Sequence, residues 1–193
     1  MQQSPFRYVN DIAHCLTGTA DAKCVVCGQK EPEFGFIVFH DEGCDEHDVC
    51  MSCLRSGALK NISIAVNHPD LDTFVNLRRP GISDADQEAY IQERSDEIMY
   101  RTPRPAIQNE FRWPVHCFDY LTFHRPVYPE DLDRLAPDGN GRAYFVEHLE
   151  TKETDWHQED IDAFWTSGGR GHVTAYLWHC AECLAFVITC EVE

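Results

Sequence analysis

The sequence predicts an α+β fold that combines several short strands with a smaller number of helices. Short segments rich in aromatic and β-branched residues, such as Phe34–His40, have the length of single buried strands. The segment 83–99 carries the start and stop signals of a helix. Six of the ten cysteines form three C-x2-C pairs, a spacing typical of the turns that hold zinc. We therefore expect small antiparallel zinc-ribbon-like sheets with covering helices.

Residues 1–60 are predicted as an N-terminal zinc-ribbon lobe. The expected strand Phe34–His40 lies between the first two cysteine pairs, and the segment 41–48 follows it with five acids and no lysine or arginine. We expect this acidic segment to be a turn. A short helix is expected at 54–60, directly after the second cysteine pair.

Residues 61–109 are predicted as a helical connector. Ser83 is a suitable N-cap, acidic residues occupy the turn that follows it, and apolar residues continue to about Met99. The prolines within 101–105 end the helix, because proline has no backbone N–H to donate.

Residues 110–193 are predicted as a C-terminal lobe. Its expected elements are a strand-like aromatic segment at 111–123, a short helix at Pro129–Leu135, a turn at 138–141, a glycine-rich loop at 167–171, and strands at Val173–His179 and 185–190. The pair Cys180 and Cys183 joins the last two strands, so we expect a hairpin with a metal-binding turn at its tip.

Two of the cysteine pairs predict a complete zinc site. A structural zinc ion takes four ligands in a tetrahedron, and Cys24, Cys27, Cys50 and Cys53 supply four thiolates. The 22 residues between the two pairs are enough for a strand and its return. Gly28 suits the turn that follows the first pair. The alternatives are four unrelated buried thiols or a redox pair, and a redox pair does not require the second C-x2-C motif.

The third pair predicts a second zinc site, with Cys117 as the third ligand beside Cys180 and Cys183. The fourth ligand is open among four residues: His116, His124, His179 and Cys190. We expect Cys190 to be a small core residue, and His116 to point away from Cys117 if the chain is extended there. The alternative is that this second group holds no metal.

The charge of the chain limits its partners. It carries 33 Asp and Glu against 16 Lys and Arg, a formal net charge of −17, while 43% hydrophobic residues are enough for a folded core. Repulsion from phosphates and anionic lipids makes nucleic acid and membrane surfaces poor partners. A nucleic-acid surface would need a small basic patch, for example one that includes the residues Arg101, Arg104, Arg112 and Arg125. A basic protein is the expected partner.

No motif predicts catalysis. A zinc ion with four thiolates has no open position for water, so such a site is structural. His116-Cys117-x-Asp119 imitates part of a Cys-His-Asp arrangement, but it has the spacing of no known catalytic motif. We also expect a cytoplasmic location, because the first residues lack the basic and apolar regions of a secretory signal and the cysteines suit a reducing compartment.

Several short motifs extend over nearly the whole chain. They are Pro5-Phe6-Arg7-Tyr8 with Asp11, Cys24-x2-Cys27-Gly28, Cys50-x2-Cys53-Leu54-x2-Gly57, Tyr100-Arg101-Thr102-Pro103, Gln108 with Glu110, Trp113, His116-Cys117-x-Asp119-Tyr120, and Thr174-Ala175-Tyr176-Leu177-x2-Cys180-x2-Cys183. With these motifs the chain resembles the CbrC family of bacterial proteins, which is named after a protein linked to colicin tolerance. The resemblance implies a zinc-binding protein that is not secreted, and it supplies no reaction. Similar members carry a further cysteine one residue after Asp119-Tyr120, where this chain has Leu121.

These observations predict a non-enzymatic zinc-binding protein that binds and neutralises a cognate bacterial toxin, as an immunity protein does. The alternative is a zinc-stabilised scaffold or interaction module with another partner. The expected partner-binding residues are Asp155, Trp156, Glu159, Asp160 and Asp162. An amphipathic helix competes with this interpretation, because Ile161, Phe164 and Trp165 have the spacing of one helix face.

Overall fold

The computed structural model describes residues 4–40, 42–77, 79–107, 109–150 and 158–192. Within them the chain has both helices and small antiparallel sheets, which confirms the predicted α+β class. It divides into two compact units, Met1–Thr122 and Phe123–Glu193. Among the described helices, none has the length and hydropathy of a membrane-spanning segment.

The first unit contains short strands and three α-helices in its described residues. They are β1 (Phe34–His40), β2 (Gly43–Val49), α1 (Met51–Ser56), β3 (His68–Pro69), α2 (Leu71–Asn76), α3 (Asp84–Arg101), β4 (Arg112–Trp113), β5 (Val115–His116) and β6 (Asp119–Tyr120). The pairs β1–β2 and β5–β6 are antiparallel, whereas β3 and β4 pair in parallel. The longest helix, α3, turns Ile91, Ser95 and Ile98 towards the core of this unit.

The acidic segment 41–48 is not simply a turn, contrary to the prediction. Gly43–Val49 forms the strand β2, which pairs along its length with β1 from Phe34 opposite Val49 to His40 opposite Gly43. The side chains of its first four residues are exposed, so the strand has no apolar alternation from which it could be recognised. Its pairing with the apolar strand β1 fixes its conformation.

The helix prediction at 83–99 is confirmed, and the one at 54–60 is partly wrong. The Ser83 side chain accepts a hydrogen bond from the backbone N–H of Asp86, and α3 continues to Arg101. At 54–60 the chain instead forms α1 and a 3₁₀ turn, Ala58–Ile62, which meet at Gly57 with φ of 72°. A Cβ at Gly57 would lie 2.8 Å from Arg101 Nε, so both the backbone angle and the available space favour glycine.

The second unit packs helices on a three-stranded sheet. Its elements are β7 (Thr122–Val127, which begins at the boundary), α4 (Pro129–Leu135), α5 (Gly141–His148), α6 (Gln158–Thr166), β8 (Val173–His179) and β9 (Phe186–Val192). The strand order is β7-β8-β9, and β8 pairs with β9 in antiparallel register. Phe145 of α5 and Phe164 of α6 stack at 5.3 Å in its core. The helix at Pro129–Leu135 is as predicted, whereas the turn expected at 138–141 leads directly into α5.

Candidate metal centres

The structure brings Cys24, Cys27, Cys50 and Cys53 together. One ligand atom from each residue lies within 4.8 Å of all the others, and the sulfurs of Cys27 and Cys50 are 3.8 Å apart. A tetrahedral zinc ion with Zn–S bonds of about 2.3 Å places its sulfurs about 3.8 Å from one another. The donor set and its spacing therefore fit zinc.

The first two cysteines lie on a tight turn that two backbone hydrogen bonds close. The N–H of Cys24 donates to the carbonyl of Gln29, and the N–H of Gly28 donates to the carbonyl of Cys24, each at 2.8 Å. Gly28 has φ of 72°, and no atom would lie within 4 Å of a Cβ placed there. The left-handed backbone, rather than lack of space, accounts for glycine at this position.

The other two cysteines lie at the start of α1. Cys50 is the N-cap of this helix, and Cys53 lies in the helix itself. The antiparallel hairpin β1–β2 returns the chain to Cys50, directly after the buried Val49. A carboxylate oxygen of Glu33 accepts the N–H of Met51 at 2.7 Å, which satisfies one of the free donors at the helix start.

The four thiols of this cluster differ in burial and acidity. Cys24 and Cys50 are buried, whereas Cys27 is exposed. Burial raises the pKa of Cys24, but hydrogen bonds from the backbone of Cys50, Cys27 and Val26 outweigh it and lower the pKa to about 7. Burial, together with the neighbouring thiols, raises the pKa of Cys53. The fold therefore favours the thiolate of Cys24 and disfavours that of Cys53, and a bound cation would favour the thiolate of each cysteine that it contacts.

Of the residues predicted for a second zinc site, His116 and Cys117 lie in the first unit, whereas Cys180 and Cys183 lie in the second. The expectation that His116 points away from Cys117 is wrong. Cys117 has φ of 52° in the turn between β5 and β6, so the chain is not extended there. His116 Nδ1 and Cys117 Sγ are 3.4 Å apart on the same side of the turn.

The turn at Cys180 repeats the hydrogen bonds of the turn at Cys24. The N–H of Cys180 donates to the carbonyl of Ala185 at 2.9 Å, and the N–H of Leu184 donates to the carbonyl of Cys180 at 3.0 Å. Leu184 takes the left-handed position that Gly28 has in the first turn, with φ of 64°. The two C-x2-C pairs therefore share one backbone conformation although their flanking sequences differ.

Three other candidates for the fourth ligand of the predicted second site, His124, His179 and Cys190, lie in the second unit. Cys190 lies in the hydrophobic core of the second unit, as expected. The rings of His124 and His179 lie edge to face with centroids 5.7 Å apart, and Phe186 packs against both. Leu121 is buried, and its carbonyl accepts the indole N–H of Trp113 at 2.8 Å.

The residues expected to bind a partner are only partly described. Asp155 and Trp156 lie outside the described residues, whereas Glu159, Asp160 and Asp162 lie on α6. Asp162 forms an ion pair with Arg142 of α5, so it already has a role within the unit. The same helix buries Ile161 and Phe164 in the core, as expected for an amphipathic helix.

Three of the four arginines considered for a basic patch have contacts within their own unit. Arg104 has no exposed surface, and its guanidinium lies 5.6 Å and 5.1 Å from the ring centroids of Phe39 and Phe111. Arg112 pairs with Asp72 and Arg125 pairs with Asp131, each at 2.9 Å.

The comparisons with known proteins identify a family. The family model described as "Uncharacterised protein family (UPF0167)" matches residues 4–192, nearly the whole chain, so the chain belongs to this family. No curated protein and no solved structure matches the chain.

Proposed function

We propose that this member of the UPF0167 family is a cytoplasmic, non-enzymatic zinc protein that binds and neutralises a cognate basic toxin of bacteria. The observation that carries the zinc assignment is the cluster of four thiols formed by Cys24, Cys27, Cys50 and Cys53. Four protein ligands leave no position for a water molecule, so the ion would stabilise the fold rather than activate a nucleophile. All ten cysteines are free thiols, in keeping with a reducing compartment.

The proposal of a basic partner rests on the charge of the chain and on where its acids lie. The formal charge is −17, and Glu42, Asp45 and Glu46 are exposed on or directly before the strand β2. Toxins that act on nucleic acids present basic clefts, and an acidic protein associates with such a cleft at an electrostatically enhanced rate. The resemblance to the CbrC family, with its link to colicin tolerance, favours the same role.

A protection experiment tests the proposal. The chain is expressed together with a basic toxin domain encoded beside its gene, and survival of the cells is compared with that of cells carrying the toxin domain alone. We expect survival, and an association rate that falls as salt is raised, because screening acts over about 8–10 Å near physiological ionic strength. Failure to protect cells from any neighbouring toxin would contradict the immunity role. A stable complex without protection would favour the scaffold instead.

Charge reversal then locates the contact surface. Asp155, Glu159, Asp160 and Asp162 are reversed together to lysine, and we expect slower association with unchanged zinc content. Because Asp162 pairs with Arg142, a second variant that reverses only Asp155 and Glu159 leaves this ion pair intact. Glu130→Lys is the matched control, an exposed acid at the start of α4. Equal loss of binding in the control would show that total charge, rather than this surface, determines association.

A further inference from the structure

The outer edge of the strand β2 is open to a further strand. On one side β2 pairs with β1, and on the other the carbonyl of Asp48 accepts the N–H of Val25 at 2.8 Å. Because the backbone groups of alternate residues point to the same side of a strand, those of Cys44 and Glu46 also point away from β1. Both residues are exposed, and within the described residues these outward groups have no hydrogen-bond partner. An extended segment that pairs with them would add a strand to the sheet.

The outer edge of β1 is less accessible than that of β2. At its start, the N–H of Gly35 donates to the carbonyl of Leu16 at 3.1 Å, so the segment that precedes the first cysteine pair already covers it. Further along β1, Ile37 and Phe39 are half-buried, whereas the residues 43–46 are exposed. A partner strand therefore finds more open backbone on β2 than on β1.

A small groove lies on the hairpin beside the edge of β2. Its volume is about 190 Å³, and the residues that line it include Thr17, Thr19, Gly35, Ile37, Glu46 and Asp48. Glu46 and Asp48 lie opposite Ile37 and Gly35 in the register, so the two acidic side chains share one face of the sheet. Asp48 Oδ1 accepts the N–H of Thr19 at 2.7 Å, which fixes this carboxylate. A lysine or arginine side chain of an added strand would meet both acids on this face.

The charge of β2 determines which segment would pair with it. Glu42, Asp45 and Glu46 are exposed, and the segment 41–49 contains no lysine or arginine. A second copy of this chain would place the same acids against one another, and like charges opposite each other destabilise strand pairing. A segment that carries lysine or arginine is instead attracted to this edge.

We propose that β2 pairs with an extended basic segment of a partner protein, which adds to the β1–β2 hairpin as a further strand. The backbone groups of Cys44 and Glu46 hold the segment, and the acids beside the groove select for its positive charge. The inference goes beyond the proposed function, because it assigns a binding element that suits any basic partner. Failure of the protection experiment would contradict the toxin role and would leave this inference standing.

The probe is a capped synthetic peptide of alternating lysine and valine residues, as long as β2. It is titrated into the full-length protein, calorimetry gives its affinity, and NMR identifies the backbone amides that respond. We expect the amides of Cys44 and Glu46 to shift and to exchange more slowly with solvent, because they become hydrogen-bonded. No binding of this peptide, or amide shifts that exclude β2, would overturn the inference.

Two N-methylated versions of the peptide test the strand pairing itself. One version is methylated at the lysine residues and the other at the valine residues, so both keep the same side chains and the same charge. Since alternate N–H groups of a strand face the same neighbour, one version should lose affinity about tenfold or more and the other should bind as the unmodified peptide does. Equal affinity of the two versions would overturn the strand pairing.

A charge reversal on β2 tests the selection for a basic segment. Glu46→Lys should weaken binding of the unmodified peptide about tenfold or more, because the lysines of the peptide then meet a like charge. Glu88→Lys is the matched control, since Glu88 is an exposed acid on α3 of the same unit, and it should leave the affinity nearly unchanged. Equal loss in the two variants would show that total charge rather than β2 determines binding, which would overturn the inference.

Discussion

The sulfurs of Cys27 and Cys50 lie 3.8 Å apart although the residues are 23 positions apart in the chain. The β1–β2 hairpin occupies the intervening segment and returns the chain to its starting point. A metal ion at this position would therefore link two distant turns, Cys24 to Cys27 and Cys50 to Cys53. The hydrogen bonds and packing of the hairpin provide the geometry in which four thiolates could hold it.

Removal of two ligands should destabilise the first unit. Cys50→Ser with Cys53→Ser is expected to lose one zinc ion per chain and to unfold at lower temperature, since structural zinc contributes on the order of 10 kcal/mol of apparent binding free energy. Zinc analysis and thermal unfolding by circular dichroism measure both effects. Cys44→Ser is the matched control, because Cys44 is exposed and is not part of the four-cysteine cluster. Unchanged zinc content in the double variant would refute the ligand assignment.

The backbone of the first turn predicts the effect of two substitutions at Gly28. Because the position has open space but φ of 72°, Gly28→Ala should cost about 1–2 kcal/mol through the backbone alone. Gly28→Asn should cost less, since asparagine adopts this conformation more readily. Urea unfolding of the zinc-loaded protein gives the two values. Equal destabilisation by alanine and asparagine would show that the left-handed backbone is not the reason for glycine.

Zinc binding at the first centre should depend on pH in a way that reflects Cys24. Its lowered pKa of about 7 means that the folded state favours the thiolate. The stabilisation of the folded state by this thiolate is fully present above the ordinary thiol pKa of about 8.5, and it is lost as the pH falls through about 7. Below about pH 7, zinc binding must release one more proton than it does above this pH, because Cys24 is then protonated. The apparent zinc affinity should therefore fall more steeply with decreasing pH in that range. Chelator competition at several pH values measures the slope; a constant slope across this range would contradict the low pKa.

Acid stability of the second unit should depend on Asp131. Its carboxylate accepts Arg125 at 2.9 Å and 3.1 Å, and this guanidinium lowers the pKa of Asp131. A carboxylate whose pKa is lowered in the folded state stabilises the fold above its ordinary pKa of about 3.9. This stabilisation is lost as the pH falls through the lowered pKa. Asp131→Asn should cost about 1.5–3 kcal/mol at neutral pH, and the difference should shrink in acid.

The free energy of unfolding of Asp131→Asn is measured at pH 7 and in acid, and each value is compared with that of the wild type under the same conditions. Glu130→Gln, an exposed acid in the same helix, is the control and should have little effect at either pH. A difference that stays constant down to strong acid would contradict the role of the Arg125 pair.

The parts of the structure that were predictable follow from local signals. Proline and acids at the start of α4 and the apolar run of β1 are contained in short segments, so their bounds could be assigned from the sequence. The strand β2 could not, because its exposed acidic side chains carry no apolar periodicity and its conformation depends on β1. For His116 the sequence predicts a side chain that points away from Cys117, because an extended segment places neighbouring side chains on opposite sides. The left-handed φ of Cys117 reverses that expectation, and no residue in the motif signals it.

Native mass spectrometry of the protein, purified without added metal, tests the central claim most directly. The account predicts a folded chain whose mass exceeds that of the polypeptide by at least one zinc ion, held by Cys24, Cys27, Cys50 and Cys53. Prolonged chelation should remove this ion and the cooperative thermal transition with it. A folded chain that carries no zinc as purified and melts at the same temperature with and without chelator would contradict the account.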